Sequence, residues 1–425
     1  MIRKLLLSLL AILMACSPVW ASDSILHSST TDPPTNSATR FGSIYGFPNG
    51  DFGSTEPVRR QVCSASGTIS RMRVSCTTAP GSGNTWQYTT RLNDGDTALL
   101  VQLTDSETAD QNLSDSFSVV GGDWIDLEAT PTSSPVLPGV VRTSLMFSGT
   151  TAGESMLFAN SGITLLDTTT KYLSLGGVIA GGTTTETLAN MVVPTGGTIK
   201  NLYVKLSVAP SVGDTRVITV RQNEATTLLV VSITGTATTG NNTSTSLTVA
   251  AGDRICIESS VLVTPADSAI SAGVTFVADN AGEFIIPASN SDDFATASTE
   301  YMSVTSGNGL DEATEANVSG VTDDITITKA YVQLSGAPDS GNDYTFDLRR
   351  DTSSPGLQVI VSDAETADNA TGSVTFTAGQ LIATQIVPNS SPTARTGMVS
   401  YLATIAETAR RVILMSQNEP LEEAA

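Results

Sequence analysis

The chain has 425 residues, 40% of them hydrophobic and only 15% charged, with a formal net charge of −21. That length allows roughly two to four domains, and the apolar content suffices for packed cores, which excludes a disordered chain. The acidic balance repels nucleic acid and anionic lipid, so neither is a partner that charge would attract.

Arg3 and Lys4 precede an apolar run, residues 5–15, that has signal-peptide length and is too short to span a bilayer as a mature helix. Two exits are open. Val19-Trp20-Ala21 fits cleavage before Ser22, giving a soluble exported chain, whereas Leu13-Met14-Ala15-Cys16 fits a lipobox in which Cys16 carries the lipid. Residues 1–21 are therefore predicted to be a signal peptide, and loss of Arg3 and Lys4 leaves 19 basic against 42 acidic residues, a net −23. The destination is extracellular or the cell surface, or the periplasm or outer membrane if Cys16 is lipidated. Residues 22–38, with Asp32-Pro33-Pro34, read as an extended tether.

The rest of the chain repeats itself. "GTISRMRVSCTTAPGSGNTWQYTTRLNDGDTALLVQL" from Gly67 returns as "GTIKNLYVKLSVAPSVGDTRVITVRQNEATTLLVVSI" from Gly197. It returns again as "ITITKAYVQLSGAPDSGNDYTFDLRRDTSSPGLQVIV" from Ile325. Pro80, Pro210 and Pro338 lie 130 and then 128 residues apart, and Arg91, Arg221 and Arg349 keep those intervals. Phe41, Tyr172 and Tyr301 begin the copies and Gly122, Gly252 and Gly379 mark a shared turn. Late apolar runs at Met156-Leu157-Phe158, Ile285-Ile286 and Val412-Ile413-Leu414 are predicted to close them. The domains are placed at 39–168, 169–297 and 298–420, with a polar tail at 421–425.

Within each copy the period is two. Leu202, Val204 and Leu206 alternate with Asn201, Tyr203 and Lys205, and turn residues such as Asn93-Asp94-Gly95 separate the runs. This predicts an all-β protein: three tandem antiparallel β-sandwiches, jelly-roll-like, after a signal peptide. The order "GTIKNLYVKLSVAP…VRQNEATTLLVVSITGTA…TSLTVAAGDRICIES" resembles C1q/TNF-like jelly-roll domains of bacterial exosporium and surface proteins, and is similar to phage and bacterial appendage modules. The resemblance implies a jelly roll and a habit of assembly, often as trimers, in adhesion or structural coats. It carries over no functional residue.

The only histidine, His27, falls in the predicted tether, away from the packed site that a Ser-His-Asp or Cys-His arrangement needs, so the chain is not read as an enzyme. Asp105, Glu107 and Asp110 recur as Asp363, Glu365 and Asp368. They are either calcium ligands or a solvated acidic loop, and the middle copy has Gly235 and Gly240 in place of two of them. Arg91, Arg221 and Arg349 are predicted to face outward, free for a ligand carboxylate or a neighbouring subunit, or else paired with local acids. Trp124 is the best exposed anchor for a sugar ring. Cys63 and Cys76 either form a disulfide or fill core positions, as Val193 and Leu206 do in the second copy. These features point to an exported structural or adhesive protein that self-associates, as a trimer or filament, or binds a surface glycan or protein. The alternative is an array of carbohydrate-binding modules or enzyme accessory domains.

Overall fold

A computed structural model describes residues 23–46, 52–165, 169–307 and 312–405. Cys16, the cleavage site, Val412-Ile413-Leu414 and the 421–425 tail lie outside the described residues.

Alternation and turn chemistry fold each copy into short strands. The first copy contains β1 (Asp23–Thr30), β2 (Arg40–Gly42), β3 (Gln61–Val62), β4 (Gly67–Cys76) and β5 (Gly81–Leu92). It continues with β6 (Gly95–Asp105), β7 (Ala109–Val119), β8 (Trp124–Thr132) and β9 (Val141–Gly149). The second contains β10 (Glu154–Asn160), β11 (Lys171–Leu173), β12 (Gly176–Val178), β13 (Met191–Val192) and β14 (Gly197–Leu206). After these come β15 (Ser211–Gln222), β16 (Ala225–Gly235), β17 (Thr239–Val249), β18 (Arg254–Leu262) and β19 (Ile270–Ala278). The third contains β20 (Glu283–Asn290), β21 (Glu300–Met302), β22 (Gly320–Val321), β23 (Ile325–Leu334) and β24 (Asp339–Arg350). It ends with β25 (Gln358–Asp363), β26 (Ala367–Phe376), β27 (Leu381–Asn389) and β28 (Gly397–Ile405).

In the first copy β1-β9-β4-β7 forms one layer, and β2-β8-β5-β6, with β3 beside β8, forms the other. The chain crosses between layers at almost every connection, an arrangement that defines a jelly roll. The second copy repeats the order as β10-β19-β14-β17, with β12 added beside β10, over β11-β18-β15-β16, with β13 beside β18. The third repeats it as β20-β28-β23-β26 over β21-β27-β24-β25, with β22 beside β27. The hairpin β5–β6 turns through Asn93 and Asp94 with φ of 51° and 71°, as the Asn-Asp-Gly signal requires.

This pairing corrects two expectations. Residues 23–30, read as part of the tether, are a strand paired residue by residue with β9, from Asp23 opposite Ser148 to Thr30 opposite Val141. The runs at Met156 and Ile285 open the next sandwich instead of closing the previous one: β10 pairs with β19 and β20 with β28. The sandwiches therefore span 23–149, 154–278 and 283–405.

The reason is double-sided burial. In β10 all seven residues are buried. Leu157 points into its own sandwich's core, while Met156 and Phe158 pack in the core of the first. The same division puts Leu26 in the first core and Ile25 in the third, and Ile286 in the third and Ile285 in the second. A strand buried on both faces reads as a continuous apolar run, without alternation.

Those contacts close on themselves. Tyr45 of the first copy meets Phe158 of the second at 5.3 Å between ring centroids. At the corresponding place a Cβ on Gly176 of the second would lie 2.8 Å from the Pro287 carbonyl of the third, an approach that only glycine allows. Thr305 of the third copy meets His27 of the first, Oγ1 to Nδ1, at 2.6 Å. The three sandwiches therefore form a closed ring about a pseudo-threefold axis, where the tandem sequence suggested three domains in a row.

Candidate functional site

The ring gives each predicted site residue a definite environment. The repeated arginines sit on the outer face of the second layer and are each held by acids of their own copy. Arg91 donates to Glu56 at 2.8 Å and Glu128 at 2.7 Å, and pairs with Asp96. Arg221 donates to Glu186 at 2.8 Å and lies 3.2 Å from Glu258, and Arg349 lies 3.4 Å from Glu315 and 3.5 Å from Asp347. Glu56, Glu186 and Glu315 each begin a short helical turn. The arginine therefore clamps that turn onto the sheet, and the local acids occupy the fork that a ligand carboxylate would need. Beneath Arg91, burial, with Glu56 adding, pushes the Asp126 carboxyl up to about 8. The corresponding residues on β18 and β27 are the neutral Cys256 and Ala383, consistent with a protonated Asp126 at pH 7.

Trp124 is only partly exposed. The Lys205 ammonium of the second copy lies 3.0 Å from its ring centroid, Arg60 lies 5.6 Å away, and its indole N–H donates to Asp94 at 3.1 Å. It is thus a contact between the first and second copies. Asp105 accepts from the Gly83 N–H at 2.6 Å and Asp363 from Gly341 at 2.7 Å. Glu107 accepts from the Thr104 N–H and hydroxyl, both at 2.8 Å, and these bonds hold its carboxyl below the usual range. Asp368 accepts from the Asn369 N–H at 2.7 Å. These acids brace turns, and among the described residues no three His, Cys, Asp or Glu side chains gather into a group that could hold a metal ion.

Cys63 and Cys76 are both free and buried in the first core, which corrects the disulfide option. The two cysteines belong to different layers. Cys63 follows β3, which pairs with β8 in one layer, while Cys76 ends β4, between β7 and β9 in the other. The Cys76 thiol donates to the Thr78 carbonyl at 3.1 Å, and burial pushes the Cys63 thiol up.

No protein-family model matches the chain, and no curated protein matches it in sequence. Among solved structures it aligns with one described as "The Triple Jelly Roll Fold and Turret Assembly in an Archaeal Virus". The identity is 14% over 87% of this chain and 90% of that one, with a TM-score of 0.19. So loose a superposition carries no argument. The jelly-roll assignment rests on the strand order.

The most elaborate polar construction is the joint between the first and third copies, which no linker connects directly. Arg71 donates from Nε and Nη2 to the two carboxylate oxygens of Asp323, each at 2.8 Å, and Arg73 lies 3.4 Å from the same group. Asp324 stands 3.5 Å from Arg71. Arg142 donates to the carbonyls of Ser319 at 2.8 Å and Ala316 at 2.5 Å. His27 is fully enclosed beside Arg142, and burial, with that positive charge adding, holds its imidazole down to about 3. At the two joints between consecutive copies an aromatic ring lies against glycine instead. A Cβ on Gly121 would come 2.7 Å from the Tyr203 ring, and one on Gly252 2.8 Å from the Tyr331 hydroxyl. Sequence reasoning missed Arg71, Arg73, Arg142 and Asp323 as a set. Their only signal is a change of chemistry at repeated positions: Arg73 stands where Tyr203 and Tyr331 stand in the other copies.

Proposed function

We propose that this protein is an exported structural building block, an intramolecular trimer of jelly rolls that serves in a surface or extracellular assembly and performs no chemistry. The observation that carries the reading is the dedicated closure of the first copy on the third through Arg71, Arg73, Arg142, Asp323 and His27. Modules that bind independently need no contact between the ends of the chain, whereas a single rigid unit needs the first copy held on the third, and here these charged and polar contacts hold it. Commitment of the single histidine to Thr305 and of the repeated arginines to local acids supports the same conclusion. Among the described residues no helix is long and apolar enough to cross a membrane.

Two measurements test the reading. The first is fractionation of a bacterial host expressing the protein, with N-terminal sequencing. It should place the chain outside the cytoplasm, beginning at Ser22 or lipidated at Cys16; unprocessed chain in the cytoplasm would overturn export. The second is a glycan screen with and without calcium, which should show no saturable binding. Binding that Trp124→Ala abolishes would replace the structural role with carbohydrate recognition.

A further inference from the structure

The three copies differ in charge at one outer corner. The segment 95–122, in which the chain crosses from β6 in one layer to β7 in the other, carries Asp96, Asp105, Glu107, Asp110 and Asp115, and the matching residues 353–379 carry Asp363, Glu365 and Asp368. Residues 225–252, which contain β16 and β17, hold no Asp, Glu, Lys or Arg at all. On a chain of net charge −21, this is a long uncharged stretch on two exposed strands. β16 and β17 are the end strands of their two sheets, so the corner projects from the ring. Two large apolar side chains stand out on it: Leu228 is 83% exposed and Val230 37%, where the first copy has Ala98 and Leu100 and the third Gly356 and Gln358. Near the Gly235 end, Val212 and Val263 are 86% and 76% exposed, where both other copies have serine.

We propose that this corner is a self-association surface on which two copies of the chain meet about a twofold axis. The inference rests on the structural role proposed above and names a second copy of this chain as the partner. Charge selects that partner. Two bodies of charge −21 repel across acidic surface, and the β16–β17 corner is where they can touch without opposing carboxylates. An isologous contact sets Leu228 and Val230 of each copy against the same residues of the other. Asn242 already donates to the Leu228 and Val230 carbonyls, so side chains and not an added strand make the contact. Eleven residues at strand rise by one sandwich thickness give about 36 Å by about 10 Å, roughly 360 Å² a side, less than half of a standard specific interface and the size of a weak, transient contact. The dimer therefore forms in the micromolar range or above, and tightens as salt screens the net repulsion.

Sedimentation equilibrium of the purified protein from roughly 1 to 200 µM, in about 0.05 M and 0.5 M salt, tests this. The mass should rise from that of one chain, 44.0 kDa with its leader, toward twice that value, and at lower concentration in the higher salt. Leu228→Lys, at an exposed site that leaves the thermal transition unchanged, should abolish the rise. Ala98→Lys, at the matching position of the first copy, should leave it intact. A monomer throughout, particles larger than two chains, or a dimer that survives Leu228→Lys would each overturn the inference. None of these results would touch export or glycan binding, so failure here is distinguishable from failure of the structural role.

Discussion

Asp323 offers the sharpest perturbation of the ring. Its side chain is 3% exposed and faces two guanidinium groups, those of Arg71 and Arg73. Asp323→Asn keeps the shape and removes the charge, leaving Arg71 opposed by Asp324 at 3.5 Å and Arg73 deprived of the carboxylate it faces. Breaking a buried pair in this way costs about 3–5 kcal/mol. Arg71 is 25% exposed and keeps its second acid, so the lower end applies, about 3 kcal/mol. The loss falls on the joint between the first and third copies and not on any one core. Hydrogen exchange should therefore quicken by about 100-fold in residues 316–323 and 141–149, the two sides of that joint, while β14 and β15 keep wild-type protection. Equal acceleration in all three sandwiches, or none anywhere, would refute the reasoning.

His27 makes stability depend on pH. Its imidazole lies at about 3 in the folded protein against 6.5 unfolded, so the unfolded chain takes up a proton that the folded one refuses. The contribution is complete above pH 6.5 and shrinks as pH falls from there toward 3, by about 2 kcal/mol between pH 6.5 and 5. Denaturant unfolding across this range should show His27→Gln losing close to one proton's worth of the slope; identical slopes would contradict the assignment. Asp126 acts in the other direction. Its folded value of about 8 exceeds the unfolded 3.8, so the stability linked to its proton is present below 3.8 and lost as pH rises through 8. Asp126→Asn should therefore gain on the wild type in melting temperature between pH 5 and pH 9, and a constant difference would argue against a protonated carboxyl.

The sandwich was legible because most strands have one wet face. Leu202, Val204 and Leu206 are buried and alternate with the partly exposed Tyr203 and Lys205, as the pattern requires. The period of the repeat was legible too, but its phase was not. An internal repeat fixes the interval between copies and leaves open where each begins. Here the cue was misleading, because Met156-Leu157-Phe158 is apolar on both faces of a strand shared between two cores. In the first copy the same strand reads Ile25-Leu26-His27, too short an apolar run to stand out beside the predicted leader. Ring closure left almost no sequence trace, since the three joints use different chemistry: Tyr203 and Tyr331 on glycine at two, Arg71 and Arg73 on Asp323 at the third. The loss of acids from residues 225–252 was visible in the sequence. Its meaning needed the structure, which puts that stretch on two sheet ends at one corner.

Small-angle X-ray scattering of dilute protein tests the closed ring most directly. A compact body of 425 residues has a radius of gyration of about 22 Å, whereas three sandwiches strung in a row approach about 30 Å. A value near the first, with the distance distribution of a single compact particle, is the predicted result. A value near the second, with a long tail to large distances, would mean that the first and third copies do not meet.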